Sequence, residues 1–150
     1  MSIQAKKNDK KTTKSSIGSA KTPKGINYDA ISIDAVSSIK EGLPYEHVEE
    51  LVKAGAFSMD EIIYFIPVRT LARRKQSQKL SPEESDTIAR LSLVFAFATK
   101  VFGSKDKAKI WLRQANRAMQ GHTPLELLST NYGSRIVENK LGRIEHGVYS

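Results

Sequence analysis

The chain contains no cysteine, which excludes a disulfide framework, a thiolate nucleophile and a cysteine-based zinc site, and suits a reducing compartment. It has one tryptophan, and aromatic residues make up only 7% of its 150 positions. No stretch approaches the roughly 20 apolar residues of a membrane-spanning helix. The opening Met1-Ser2-Ile3-Gln4-Ala5-Lys6-Lys7 lacks the apolar block of a secretory signal, so a cytoplasmic location and no membrane partner are expected. Glycine-rich phosphate loops are missing as well. The three histidines, His47, His122 and His146, fall in separate expected elements and match no nucleophile or metal-ligand spacing. Glu49 and Glu50 are neighbours that diverge by about 100° on a helix, so they read as a solvated face rather than a convergent acid pair. A chain this short leaves little room for a large cleft. No catalytic residue, metal ion or cofactor is therefore expected.

Acid is scarcest at the N-terminal end. Residues 1–25 hold Lys6, Lys7, Lys10, Lys11, Lys14, Lys21 and Lys24 against the single acid Asp9, a surplus of six within a formal net charge of +8. A Lys/Ser/Thr segment with few large apolar groups cannot offset the entropy of ordering, so residues 1–27 are expected to form a disordered basic arm. Such an arm touches DNA phosphates in a salt-sensitive, sequence-blind way, or it serves as a solubilising tail.

From Tyr28 onward the punctuation is helical. The pairs Ser58/Glu61, Ser81/Glu84 and Thr123/Glu126 have the spacing of reciprocal caps, and Pro82 and Pro124 stand at first helical positions. Gly42, Gly55, Gly103 and Gly147 follow the periodic runs, where a left-handed residue ends a helix. No period-two alternation long enough for a strand is present, and the expected fold is all-α. The expected helices are 29–41, 45–54, 59–65, 68–75, 82–102, 105–114, 124–129 and 134–146. In the longest, Ile88, Leu91, Val94, Phe95, Ala98, Val101 and Phe102 mark a broad buried face and a spine between two modules. Ala108, Trp111, Leu112, Leu125, Leu127, Leu128, Ile136, Val137, Leu141 and Ile144 supply core for the second module.

Residues 58–75 read as helix, tight turn, helix, with the second helix short and strongly basic. In a helix-turn-helix the second helix enters the major groove, its first residues reaching base edges and its flanks holding phosphates. Arg69 and Thr70 stand at its start, and Arg73 lies one turn beyond Arg69 on nearly the same face. Arg74 and Lys75 are then expected at the DNA backbone, with Ile62 and Leu71 locking the two helices together. A solvated basic helix, or one that grips a protein partner, fits the same pattern.

The last third carries the most specific blocks: Ala98-Thr99-Lys100-Val101-Phe102-Gly103, Ala108-Lys109-Ile110-Trp111-Leu112, Gly121-His122-Thr123-Pro124-Leu125-Glu126-Leu127-Leu128 and Leu141-Gly142-Arg143-Ile144-Glu145-His146-Gly147-Val148-Tyr149. In this order they resemble the toxin-binding domain of the Xre/MbcA/ParS antitoxin family. Upstream, Ile66-Pro67-Val68-Arg69-Thr70-Leu71-Ala72-Arg73-Arg74 and Leu80-Ser81-Pro82-Glu83-Glu84-Ser85 are similar to that family's Xre-type helix-turn-helix and the start of its linking helix. The resemblance covers about 28–150 and implies an Xre-like helix-turn-helix module at 28–80 and a linking helix with toxin-binding domain at 81–150. It further implies an antitoxin of a type II toxin–antitoxin system whose partner, encoded in the same operon, is an NAD-degrading RES-domain toxin. Operator DNA is the second implied partner. Arg143, Glu145, Gly147, Val148, Tyr149 and Ser150 are the expected toxin-binding residues, the last three as a stub that plugs the toxin's cleft. The same stub also suits a frayed end, and Lys140 and Arg143 also suit charges that complement a helix dipole. A homodimer and higher-order toxin–antitoxin complexes are expected, since operators read by such helices are commonly two-fold. The competing expectation is a stand-alone helix-turn-helix transcription regulator with no toxin partner.

Overall fold

The computed structural model describes residues 32–147; the basic arm at 1–27 and the stub Val148, Tyr149 and Ser150 lie outside the described residues. The described residues form eight α-helices: α1 (Ile33–Glu41), α2 (Glu46–Lys53), α3 (Met59–Phe65), α4 (Val68–Ser77), α5 (Pro82–Phe102), α6 (Lys105–Leu112), α7 (Pro124–Leu127) and α8 (Asn131–Glu145). A single 3-10 turn, Arg117–Met119, lies between α6 and α7. Among the described residues there is no strand, only one isolated antiparallel bridge between Pro44 and Lys79. The fold is all-α. No single described helix is long and apolar enough to cross a membrane.

Local chemistry explains most of the boundaries. All three capping boxes form: the hydroxyls of Ser58, Ser81 and Thr123 accept from the N3 amides, while Glu61, Glu84 and Glu126 accept from the N-cap amides. Pro82 and Pro124 follow two of these caps, where a missing N–H costs least. Gly42 has φ 100°, and a Cβ there would strike the Leu80 carbonyl oxygen. Without a side chain, the turn leading into α2 lies directly on the chain leaving α4. Leu80 N donates to Leu43 O at 2.9 Å, Tyr45 N donates to Gln78 O at 3.1 Å, and Leu43 N donates to the buried Ser85 hydroxyl at 2.7 Å.

The core is one continuous cluster running from Tyr45 and Val48 through Ile62 and Leu71 to Leu128, Val137 and Leu141. Helix α5 is its axis, packing on α1, α2, α6 and α8. Its buried residues, Ser85, Ile88, Leu91, Ser92, Val94, Phe95, Phe97 and Ala98, cover about two-thirds of its circumference at 100° per residue. Phe57 joins the two ends of the core, meeting Phe65 edge-on at 6.5 Å and Phe95 at 6.2 Å between ring centroids. Phe102 meets Trp111 at 5.5 Å.

Several expectations change. Helix α8 starts at Asn131 rather than Ser134, because Thr130 caps it through the Gly133 amide at 2.9 Å. Asparagine and glycine, both poor helix formers, hide that first turn from a propensity reading. Helix α4 runs on to Ser77 and ends with Gln78 in the left-handed region, φ 60°, whereas α6 stops at Leu112 and α7 at Leu127. Ile136, expected in the core, is 38% exposed, since Val137 and Leu141 take the inward positions on α8.

Gly133 is the tightest backbone approach in the C-terminal half: a Cβ there would overlap the Leu127 carbonyl. Gly133→Ala is therefore expected to destabilise the protein by about 1–3 kcal/mol, the usual cost of forced overpacking, measured by chemical denaturation. A Gly142→Ala control, where a Cβ meets nothing within 4 Å, should be neutral or stabilising.

Candidate functional site

Helices α3 and α4 are joined by Ile66 and Pro67 alone. Ile62, Ile66 and Leu71 are buried in the common core, so the inward face of each helix is the one that the helical period predicts for Ile62 and Leu71. Ile66 N donates to Ile62 O at 2.9 Å and Leu71 N donates to Pro67 O at 3.0 Å, closing α3 and opening α4 without a side-chain cap. Arg69, Arg73 and Lys75 are exposed and Thr70 is half-buried. Arg69 and Arg73, four residues apart, share one face of α4. Tyr64 and Val68 are also exposed, at 63% and 60%, and flank the turn beside Arg69. The sequence reading missed both, although an apolar residue at the first position of a helix, off its buried stripe, is a usable signal.

Arg74 has a different setting. Its Nε donates to Glu84 at 2.7 Å, and the same carboxylate oxygen accepts from the Ser81 amide at 2.8 Å. The cap of α5 thus grips the last turn of α4. A parallel arrangement holds the other end of the helix-turn-helix. Arg113, just past α6, donates through Nε and Nη2 to the two oxygens of Glu61, each at 2.7 Å, and through Nη2 to Ala56 O at 3.1 Å. Glu61 also accepts from the Ser58 amide at 2.7 Å. Burial raises the pKa of Glu61, but hydrogen bonds from Arg113 and the Ser58 backbone, with the Arg113 charge, outweigh it and hold the group below its ordinary 4.5. Glu84 is held down in the same way, burial being outweighed by Arg74 and Ser81.

The C-terminal surface is built on α8. Gly133, Ser134, Val137 and Leu141 are buried, and the opposite face carries Tyr132, Arg135, Ile136, Asn139, Arg143 and His146. Glu145, an expected partner-binding residue, pairs with Lys100 of α5 at 3.3 Å and so ties down the end of α8. Arg143 is exposed, and Gly147 is exposed with φ 78°. The structure thus places Arg143, Glu145 and Gly147 in and just past the last turn of α8; Val148, Tyr149 and Ser150 lie outside the described residues. His47 is on α2, His122 lies beside Glu126 at 3.3 Å and His146 closes α8. Among the described residues no three of His, Asp and Glu group to hold a metal ion.

A helix-turn-helix with an exposed arginine pair, sharing its core with a second helical unit, defines a DNA-binding protein that carries a protein-recognition module. The family model of the antitoxin Xre-like helix-turn-helix domain matches residues 34–92, and that of the antitoxin Xre/MbcA/ParS C-terminal toxin-binding domain matches residues 97–147. The chain is 35% identical over 116 residues to an Antitoxin Xre of Photorhabdus laumondii, covering 75% of this chain and 78% of the relative. It is 34% identical over 110 residues to an Antitoxin Xre of Pseudomonas putida, covering 73% and 69%. A Prs ADP-ribosylating antitoxin of Sphingobium sp. is 25% identical over 137 residues, covering 82% and 85%. The chain belongs to the Xre/MbcA/ParS antitoxin family. Its partners are accordingly a toxin and DNA.

The depressed pKa of Glu61 makes a pH prediction. A lowered carboxylate pKa stabilises the fold fully above the ordinary value of 4.5, and that stabilisation is lost as pH falls through the lower folded-state value. Arg113→Met should cost about 1 kcal/mol at neutral pH, as for a partly exposed ion pair. Its stability should also fall less steeply than that of the parent below pH 4.5, in urea unfolding followed from pH 6 to pH 3.

Proposed function

We propose that this antitoxin neutralises an NAD-degrading RES-domain toxin encoded in its own operon by placing the residues after Gly147 in the toxin's active-site cleft, and that it helps repress that operon through α3 and α4. The protein acts by binding, in the cytoplasm, and the toxin performs the chemistry. The observation that carries this reading is the setting of α8. Val137 and Leu141 anchor the helix in the core, Glu145 ties its end to Lys100, and the exposed Gly147 then turns the chain off the helix axis in a left-handed conformation. A segment delivered from a rigid base loses little entropy on insertion, which favours tight blocking of a cleft. Val148, Tyr149 and Ser150 supply a small apolar group, an aromatic ring with a phenol, and a hydroxyl for that cleft. The name of the Sphingobium relative brings ADP-ribosyl chemistry beside this family, and an ADP-ribosyl donor is an NAD-type dinucleotide.

On DNA, Arg69, Thr70 and Arg73 face base edges and Lys75 a phosphate, while Arg74 fixes α4 against α5 through Glu84. The lysines of residues 1–27 add a salt-dependent contribution. A homodimer presents two recognition helices to a two-fold operator, and toxin bound at the far end of each chain gives higher-order complexes.

Removal of residues 147–150 is expected to preserve the fold and operator binding while abolishing protection of cellular NAD from the co-expressed toxin. Full protection by the shortened chain would overturn the plug. Arg69→Gln with Arg73→Gln should weaken operator binding by about 1–3 kcal/mol for each base-reading arginine removed, with toxin affinity unchanged. Unchanged operator affinity at matched salt, in a fluorescence anisotropy titration, would show that another surface reads the DNA.

A further inference from the structure

We propose that the solvent face of α8, formed by Tyr132, Arg135, Ile136, Asn139 and Arg143, is the surface that docks on the toxin, against an apolar pocket of the toxin rimmed by carboxylates. This assignment rests on the antitoxin reading above and adds a docking surface to the inserted tail. At 100° per residue these five side chains lie within about 60° of one line along the helix. Tyr132 is 78% exposed although the buried positions of α8 are filled by Gly133, Ser134, Val137 and Leu141, so the core has no use for its ring or for Ile136. Among the described residues of the toxin-binding domain the exposed large apolar side chains are Ile110, Tyr132 and Ile136. Ile110 stands alone on α6 between Lys109 and the half-buried Trp111, with no second exposed apolar side chain on that helix. Only the α8 face combines two apolar groups one turn apart with arginines on both sides, the composition that dominates binding energy at protein interfaces.

The charge pattern decides which occupant fits. If a second copy packed antiparallel on this face about Asn139, Arg135 of one chain would oppose Arg143 of the other, and parallel packing would set each arginine against its own counterpart. Like charges meet in either arrangement, so self-association is disfavoured and a partner with carboxylates is preferred. The face also runs directly into Gly147, so a toxin seated on it receives the following residues at its cleft without any change in α8. The positive face itself is ill-suited to a cleft built for a dinucleotide's pyrophosphate, which is electropositive; α8 therefore lies on the rim and only the tail enters.

The test uses the full-length chain and the purified product of the toxin gene of its operon. Tyr132→Ala and the charge reversal Arg135→Glu are measured for toxin affinity by biolayer interferometry and for operator affinity by anisotropy, the second serving as the check of folding. Both are expected to weaken toxin binding about tenfold or more while operator affinity stays at the parental value. The Arg135→Glu variant should in addition lose most of the salt dependence of association. Parental toxin affinity in both variants overturns the assignment. So does concentration-dependent self-association that Ile136→Glu abolishes while toxin affinity is retained, since the face then belongs to a second copy. The chain shortened at 147–150 separates the two ideas: it should still bind toxin through α8 while failing to neutralise it, and loss of binding on shortening alone, with the α8 variants unaffected, assigns the interface to the tail. If the parental chain does not bind the toxin, the antitoxin pairing falls and the docking face with it.

Discussion

A helix of 21 residues whose apolar side chains point around most of its circumference cannot be left against solvent, and the burial of α5 is the constraint on which the remaining architecture depends. It receives α1, α2, α6 and α8, and α8 runs along it from Arg90, which donates to the Asn131 side chain, to Lys100, which pairs with Glu145. Because the helix is unbroken, the helix-turn-helix and the toxin-binding domain are built on one rod and share one core. The two family models meet within it, one ending at residue 92 and the other starting at residue 97. The serine hydroxyls that such a helix must also bury are both satisfied: Ser92 donates within the helix to Ile88 O at 2.9 Å, and Ser85 accepts from the Leu43 amide across 42 positions.

Two capping glutamates extend that connection to the DNA-binding helices. An N3 glutamate of a capping box already accepts one backbone amide, and its remaining acceptor capacity is open to a cation. Glu84 takes Arg74 from the last turn of α4, and Glu61 takes Arg113 from beyond α6. The start of α3 and the end of α4 are thereby each pinned to an element outside the helix-turn-helix. The consequence is positional: the exposed pair Arg69 and Arg73 is presented from a unit held at both ends, which limits how far α4 swings relative to α5 and α6. An arginine that reads as one more positive charge in a basic run also orients the run through Glu84.

Helix α4 carries the arginine pair, α8 carries the aromatic and arginine stripe, and α5 touches α8 directly while holding α4 through Glu84. The arginine pair of α4 and the stripe on α8 are both exposed to solvent. The charge on both is positive, which is compatible with phosphates at one face and carboxylates at the other.

The sequence alone determined what depends on neighbours within a few positions: the all-α class, the three capping boxes, the proline starts, the left-handed glycines at 42, 55, 103 and 147, and the bounds of α3 and α5. Inward-facing Ile62 and Leu71 were legible for the same reason, since helical period alone sets the face a residue takes. The resemblance of ordered blocks pointed to the family. Tertiary structure decided whatever depends on partners far apart in the chain. Thr130 starts α8 across poor helix formers because Gly133 fits against the Leu127 carbonyl, and Ile136 yields its place in the core to Val137 and Leu141. Arg74 and Glu145 are bound by Glu84 and Lys100, and Arg113 reaches Glu61 across 52 positions. A side chain's charge can be read from its letter; whether that charge faces a ligand or closes the fold is set by which carboxylate or cation the packing brings within reach.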